Sequence, residues 1–379
     1  MKSINTLLLL LFAASTTLAQ SGYTVNGTIN VDAAVSAYLY LPQQNGSYTA
    51  DSCNITAGRF SFSGSVPYPV PAILQFKNHN NLYSNTVSFY LENATITADI
   101  DLKNSIVDVS GSHTQDLQGE FMKLLMPLIK EMNSIQSDRE QAYLTHPDFK
   151  AYSDTLAMRE QHIHEKNSEI VYQFVKKHPA DFISIYLLKS QLANAPNDLR
   201  TDTAFAALSG AVANSPLGSD FAGKLQKVRK VSIGALAPDF DCRDIDGNPV
   251  KLSDFRGKYL LLQFWASDCS NCLDELPNLT KTANLTGKNF AILAIAVDPP
   301  TGEEQWKDYV KTNKLPWVNV FDEQINGTRK LSVLYDVNRT PTNFLLDKEG
   351  KIIAKELFGN NLFTKISGLI QPRQDNNNS

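Results

Sequence analysis

Phe264-Trp265-Ala266-Ser267-Asp268-Cys269-Ser270-Asn271-Cys272 carries two of the four cysteines of this 379-residue chain, two residues apart. The apolar run 259–265 before them reads as a buried strand, and the stretch 272–285 after them as a helix. A Cys-x-x-Cys pair at such a boundary brings its sulfurs within bonding distance, the first exposed and the second tucked behind. The free N–H groups and the dipole at a helix start stabilise a thiolate, so Cys269 is the expected nucleophile. That makes the pair a candidate for thiol–disulfide exchange. Three rival readings are weaker. A zinc site needs four ligands, and no second Cys-x-x-Cys exists. All six histidines (His79, His113, His146, His162, His164, His178) precede residue 233, which leaves no local imidazole for zinc or for a Cys–His hydrolase. A purely structural disulfide stays open.

Working outward, strand-like runs at 259–265, 290–297, 317–321, 342–346 and 352–355 alternate with helical stretches at 272–285, 303–312, 329–335 and 361–370. Strands alternating with helices imply a mostly parallel sheet with helices on its faces.

Two further runs flank the cysteines. One is Gly234-Ala235-Leu236-Ala237-Pro238-Asp239-Phe240, continued by Leu252-Ser253-Asp254-Phe255-Arg256-Gly257-Lys258. The other is Arg339-Thr340-Pro341-Thr342-Asn343-Phe344-Leu345-Leu346-Asp347-Lys348-Glu349-Gly350-Lys351-Ile352. Together with the cysteines they resemble the TlpA/ResA-like thiol–disulfide oxidoreductases of the thioredoxin superfamily, with an AhpC/TSA-like C-terminal domain, over residues 233–370. The resemblance implies a thioredoxin-like fold, with Cys269 as attacking and Cys272 as resolving cysteine. It implies that Trp265 is the aromatic at the strand end, that Glu275 and Pro277 are the acid and kinking proline of the active-site helix, and that Pro341 is a cis-proline facing the disulfide with Thr340 before it. Only proline makes a cis bond inexpensive. Three positions depart from the family. Asp268 replaces an aromatic, Asn271 a frequent proline, and Gln263 a buried carboxylate, and an amide cannot titrate. Peroxiredoxins share the Ala-Pro-Asp-Phe-like opening, but their Pro-x-x-x-Thr-x-x-Cys would need proline at Leu262 and a hydroxyl at Ala266.

Toward the N-terminus the pattern changes twice. Residues 112–232 read as helices. Phe121, Leu124, Leu125, Leu128, Ile129 and Met132 fall on one helical face, and Pro127 within the run predicts a kink or a break. Further helices are expected at about 152–177, 182–193, 203–213 and 218–231. Residues 20–111 hold short runs at 38–41, 59–63, 73–76, 87–91 and 95–100 between turn clusters, which predicts an antiparallel β-sandwich or barrel. Before them, Lys2, the apolar run 7–14 and the small residues up to Ala19 read as a secretory signal peptide over 1–19, with Gln20 the expected first residue after cleavage. That run is less than half of the roughly 20 residues a membrane span needs, so no span is expected in the mature chain. The Asn-rich 371–379 reads as a disordered tail.

Formal charge is −4 and charged residues make up 20% of the chain, which excludes a generally basic nucleic-acid binder. No metal, nucleotide or flavin motif is present, so no cofactor is expected. Cys53 and Cys242 read as buried thiols, His162 and His164 as solvated surface residues, and Asp298-Pro299-Pro300 as a turn. These expectations combine into an exported, periplasmic thiol–disulfide oxidoreductase acting on protein thiols and disulfides. The resemblance favours a reductase fed by a membrane thiol electron donor. The alternative is a non-catalytic cell-envelope binding or assembly protein with a structural disulfide.

Overall fold

The computed structural model describes residues 22–370 apart from 31–33, 44–45, 79–85, 102, 147, 197 and 285–288. The expected signal peptide, its cleavage site and the tail 371–379 lie outside the described residues. Those described form two compact units, one running to Leu188 with Ala207–Val212, the other comprising Lys189–Ala206 and the chain from Ala213.

The first unit opens with β1 (Tyr23–Ile29), β2 (Ala34–Pro42), β3 (Tyr48–Asn54), β4 (Arg59–Gly64), β5 (Val70–Asn78), β6 (Val87–Leu91), β7 (Thr95–Asp101) and β8 (Ile106–Ser110). They form two four-stranded sheets, β4-β1-β7-β8 and β3-β2-β5-β6. Alternate residues of both enter one core, including Val25, Phe60, Phe62, Ile96, Leu39, Leu74, Phe76 and Phe89, as a sandwich requires. One pair departs from the antiparallel expectation: β1 and β7 run parallel, Val25 beside Ile96.

Next come α1 (His113–Thr145) and α2 (Phe149–Lys177). Ser112 caps α1, its hydroxyl accepting the Gln115 N–H at 3.1 Å. The helix runs through Pro127 without a break, and two expectations change here. Phe121, Leu128, Ile135 and Ala142 are buried at seven-residue spacing, and Leu128 and Ile135 meet Leu156 and Ile163 of α2. A two-helix hairpin covers only that narrow seam. Leu124 and Ile129, both expected on the buried face, therefore stay 52% and 36% exposed. The helix expected over 203–213 is broken. After α3 (Phe182–Asn194), the chain forms α4 (Arg200–Ala206), α5 (Gly210–Ala213) and α6 (Pro216–Lys230); between α4 and α5 the Ser209 N–H bonds to the Pro179 carbonyl at 2.9 Å.

The second unit's α/β part holds β9 (Asp241–Arg243), β10 (Pro249–Lys251), β11 (Tyr259–Trp265), α7 (Ser270–Ala283), β12 (Phe290–Ala296), α8 (Glu303–Thr312), β13 (Val318–Phe321), β14 (Gln324–Ile325), β15 (Thr328–Arg329), α9 (Lys330–Leu334), β16 (Thr342–Leu346), β17 (Ile352–Lys355) and α10 (Gly359–Ile370). Five strands form one sheet in the order β13-β12-β11-β16-β17. β11, β12 and β13 are parallel, while β16 and β17 pair antiparallel. This is a thioredoxin-like α/β fold. The central strand β11 is buried from Leu260 to Trp265. Leu260, Leu262 and Phe264 enter one core with Leu293, Ile295, Tyr335 and Phe344, and Leu261 joins Leu279, Ile292, Leu345 and Leu362 in another. Both faces are covered, which is why this segment reads as an uninterrupted apolar run.

Candidate active site

The chain leaves β11 at the edge of the sheet where all three parallel strands end. Cys269 is the N-cap of α7, with extended backbone (φ −88°, ψ 105°). Its Sγ accepts the Cys272 N–H at 3.2 Å, the bond by which an N-cap side chain satisfies a free helix-start donor. Cys269 and Cys272 are joined as a disulfide, Cα atoms 5.2 Å apart. Cys269 is half-buried and Cys272 is 2% exposed. One sulfur is thus open to a partner and the other lies behind it.

All three tryptophans of the chain, Trp265, Trp306 and Trp317, pack in the cluster that holds this pair. The Trp265 ring lies 5.8 Å from Tyr309, centroid to centroid. The Thr340–Pro341 bond is cis. β16 starts one residue later with Thr342 paired to Phe264, which brings the cis bond to the end of β11 from which the cysteines emerge. The Thr342 hydroxyl donates to the Arg339 carbonyl at 2.9 Å. Arg339 also forms an ion pair with Glu356 at 2.9 Å, and burial holds the Glu356 carboxyl above its ordinary value, opposed by Arg339 and Lys355.

The remaining expected site residues are distributed as follows. Asp268 is exposed beside Cys269. Glu275 is 8% exposed, and its two oxygens accept the Gly359 N–H at 2.8 Å and the Asn278 side-chain N–H at 3.1 Å. Its carboxylate thereby ties α7 to the start of α10. Gln263 is 1% exposed and its Oε1 has no partner among the described residues. Across the sheet from it lies Asn343, which exchanges two hydrogen bonds with the Leu357 backbone. Cys53 and Cys242 are free and half-buried. His162 and His164 are exposed, and no group of three or more metal-ligating side chains is found among the described residues.

One feature of the site goes beyond the sequence reading. Asp298, expected only to turn the chain, is 3% exposed and accepts the backbone N–H of Ser267 at 2.9 Å and also its hydroxyl. A signal was available in retrospect: an acid followed by two prolines at the end of the strand next to β11.

Residues 233–355 match the AhpC/TSA family, and residues 23–118 match a domain family of unknown function, DUF4369. Thiol-disulfide oxidoreductase ResA of Bacillus cereus is 32% identical over 164 residues, 43% of this chain and 89% of that protein. ResA of Bacillus subtilis is 30% identical over 133 residues, 35% of this chain and 69% of that protein. Among solved structures, the thioredoxin domain of a thiol-disulfide oxidoreductase from Bacteroides vulgatus is 36% identical, with a TM-score of 0.35 over 37% of this chain and 99% of that one. Among the described residues, no helix is long and apolar enough to cross a membrane.

Proposed function

Because the chain belongs to the thiol-disulfide oxidoreductase family, with its AhpC/TSA domain at the C-terminal end, we propose that it is an exported, periplasmic reductase of disulfides in envelope proteins. In its reduced form the Cys269 thiolate attacks one sulfur of a substrate disulfide. An S–S bond forms between Cys269 and the substrate, and the second substrate sulfur leaves as a thiolate that takes up a proton. Cys272 then loses its proton and attacks the Cys269 sulfur. The substrate departs as a dithiol and the Cys269–Cys272 disulfide is restored. A membrane dithiol donor supplies two electrons and two protons, one of which Cys269 releases to solvent as it ionises, and the enzyme is back at its starting state.

The observation that carries this reading is the sulfur of Cys269 accepting a helix-start N–H while Cys272 is buried behind it. When reduced, that N–H and the α7 dipole favour the anion on Cys269. The surrounding parts support the same reading: Trp265 walls the site, Thr340 and Pro341 offer backbone beside the disulfide, Glu275 fixes α7, and Asp268 places a charge next to the nucleophile. The reducing direction rests on the compartment, since an oxidising one already forms disulfides without help. The test is reduction of insulin by dithiothreitol. The protein should accelerate the turbidity, and a rate equal to the protein-free control would reduce the pair to a structural staple.

A further inference from the structure

The loop that presents Cys269 is held at Trp265 and Ser267 from the end of the neighbouring strand β12, and at Cys269 by a turn of its own. The Val297 N–H donates to the Trp265 carbonyl at 2.8 Å and the Cys269 N–H to the Ala266 carbonyl at 3.3 Å. Between them Ser267 gives both its N–H and its hydroxyl to a single oxygen, Oδ1 of Asp298. Bonds to a carboxylate are stronger than neutral ones. The clamp itself is stiff, because Asp298 precedes Pro299 and Pro300, and a residue before proline is confined to extended conformations. Gly302 folds back on it, its N–H bonded to the Pro299 carbonyl at 2.7 Å.

Stability alone does not explain the acid. The other oxygen, Oδ2, is buried with no partner among the described residues, and burying an unpartnered carboxylate oxygen costs free energy. An apolar filling of this site would avoid that cost but would leave the Ser267 N–H without an acceptor and the loop free to shift. The acid matters most in the reduced enzyme, where no S–S bond tethers Cys269 and only the backbone places its sulfur.

We propose that Asp298, through Ser267, is the positioning residue for the Cys269 nucleophile, a role that rests on the assignment of Cys269 above. Attack on a disulfide demands alignment with the S–S axis, and small misplacements of a reacting atom cost rate steeply. Alkylation by a small reagent demands little alignment.

The test uses the full chain in the Cys272→Ser background. It measures the rate at which Cys269 forms a mixed disulfide with insulin, and the rate of iodoacetamide alkylation of Cys269 at a pH where it is fully thiolate. Asp298→Ala should slow attack on insulin about tenfold or more while changing alkylation less than about threefold. Asp298→Asn, which keeps an Oδ1 acceptor, should recover most of the loss. Equal rates on insulin for Ala and wild-type Asp298, an equal slowing of insulin attack and alkylation, or no recovery in the Asn variant would each overturn the proposal. If Asp298→Ala does not fold, Ser267→Ala and Ser267→Thr decide. The first deletes the hydroxyl bond and should slow attack about threefold, and the second keeps it and should restore the rate; no difference between them overturns the proposal. Failure of the parent protein with Asp298 intact to attack insulin at all would contradict the assignment of Cys269 instead.

Discussion

Three of the four cysteines are half-buried, yet their surroundings differ. Cys269 stands at the start of a 14-residue helix with its sulfur on a backbone N–H. Cys242 lies in the two-stranded β9–β10 hairpin, where its thiol donates weakly to the Val250 carbonyl at 3.6 Å. Burial pushes it up to about 11, with Lys330 pulling the other way. Cys53, on β3 of the sandwich, is likewise raised by burial, opposed by backbone hydrogen bonds from Ser61 and Ala37. The difference teaches that exposure alone does not make a thiol reactive. Nor does a backbone donor by itself, since Cys53 receives two; among the described residues Cys269 alone takes its donor from a helix start, the feature on which the proposed nucleophile rests.

The sharpest way to break this comparison is to delete the thiols singly. Cys269→Ser should lower insulin-reducing activity by on the order of a thousandfold, whereas Cys53→Ser and Cys242→Ser should stay within about twofold of wild type. A large loss in either of the latter would erase the distinction. The packing around the pair gives the next largest effect. Trp306 is 1% exposed in the cluster that holds Cys272, so Trp306→Ala should destabilise the protein by about 3–5 kcal/mol in denaturant unfolding.

Cys242 offers a test in the opposite direction. Its folded value lies above its ordinary 9.0, at about 11, so between those values the unfolded chain loses a proton that the folded chain keeps. Stability is complete below pH 9 and falls as pH rises through about 11, by roughly 2–3 kcal/mol in all. Urea unfolding from pH 8 to 11 should show this loss, and Cys242→Ala should remove that part of the slope. The smallest effect concerns Asp268. It is exposed and screened, so Asp268→Asn should move the alkylation profile of Cys269 to lower pH by about half a unit. The reduction potential should rise by tens of millivolts at most, on the order set by that shift. A profile that stays put or moves to higher pH would leave Asp268 as a plain helix-start residue.

How much was readable beforehand varied in the same way between regions. The strand β11 and the exit to the cysteines were legible because burial on both faces and a helix start leave uninterrupted apolar and Cys-x-x-Cys signals, whereas the cis bond at Thr340–Pro341 was implied by the resemblance, since the dipeptide alone reads as an ordinary turn. Strand β3 was not, since six of its seven residues are exposed and no apolar alternation marks it. Strand β1 alternates buried and exposed, but one of its inward positions is Gly27, where the Phe60 ring occupies the space a Cβ would fill. The seam of α1 was misjudged because six apolar residues suggest a wide face, whereas a single neighbouring helix covers a narrow one. The Ser267–Asp298 clamp joins residues 31 apart in sequence; the Asp-Pro-Pro run marks a stiff strand end, but no local pattern names the residue it meets.

The most direct test of the account is trapping. Reduced Cys272→Ser protein, offered insulin, should accumulate a mixed disulfide through Cys269, because the thiol that would resolve it is gone. Cys269→Ser protein should accumulate almost none. Capture by Cys269→Ser with none by Cys272→Ser would contradict the account, making the buried thiol the nucleophile and the helix-start sulfur its resolver.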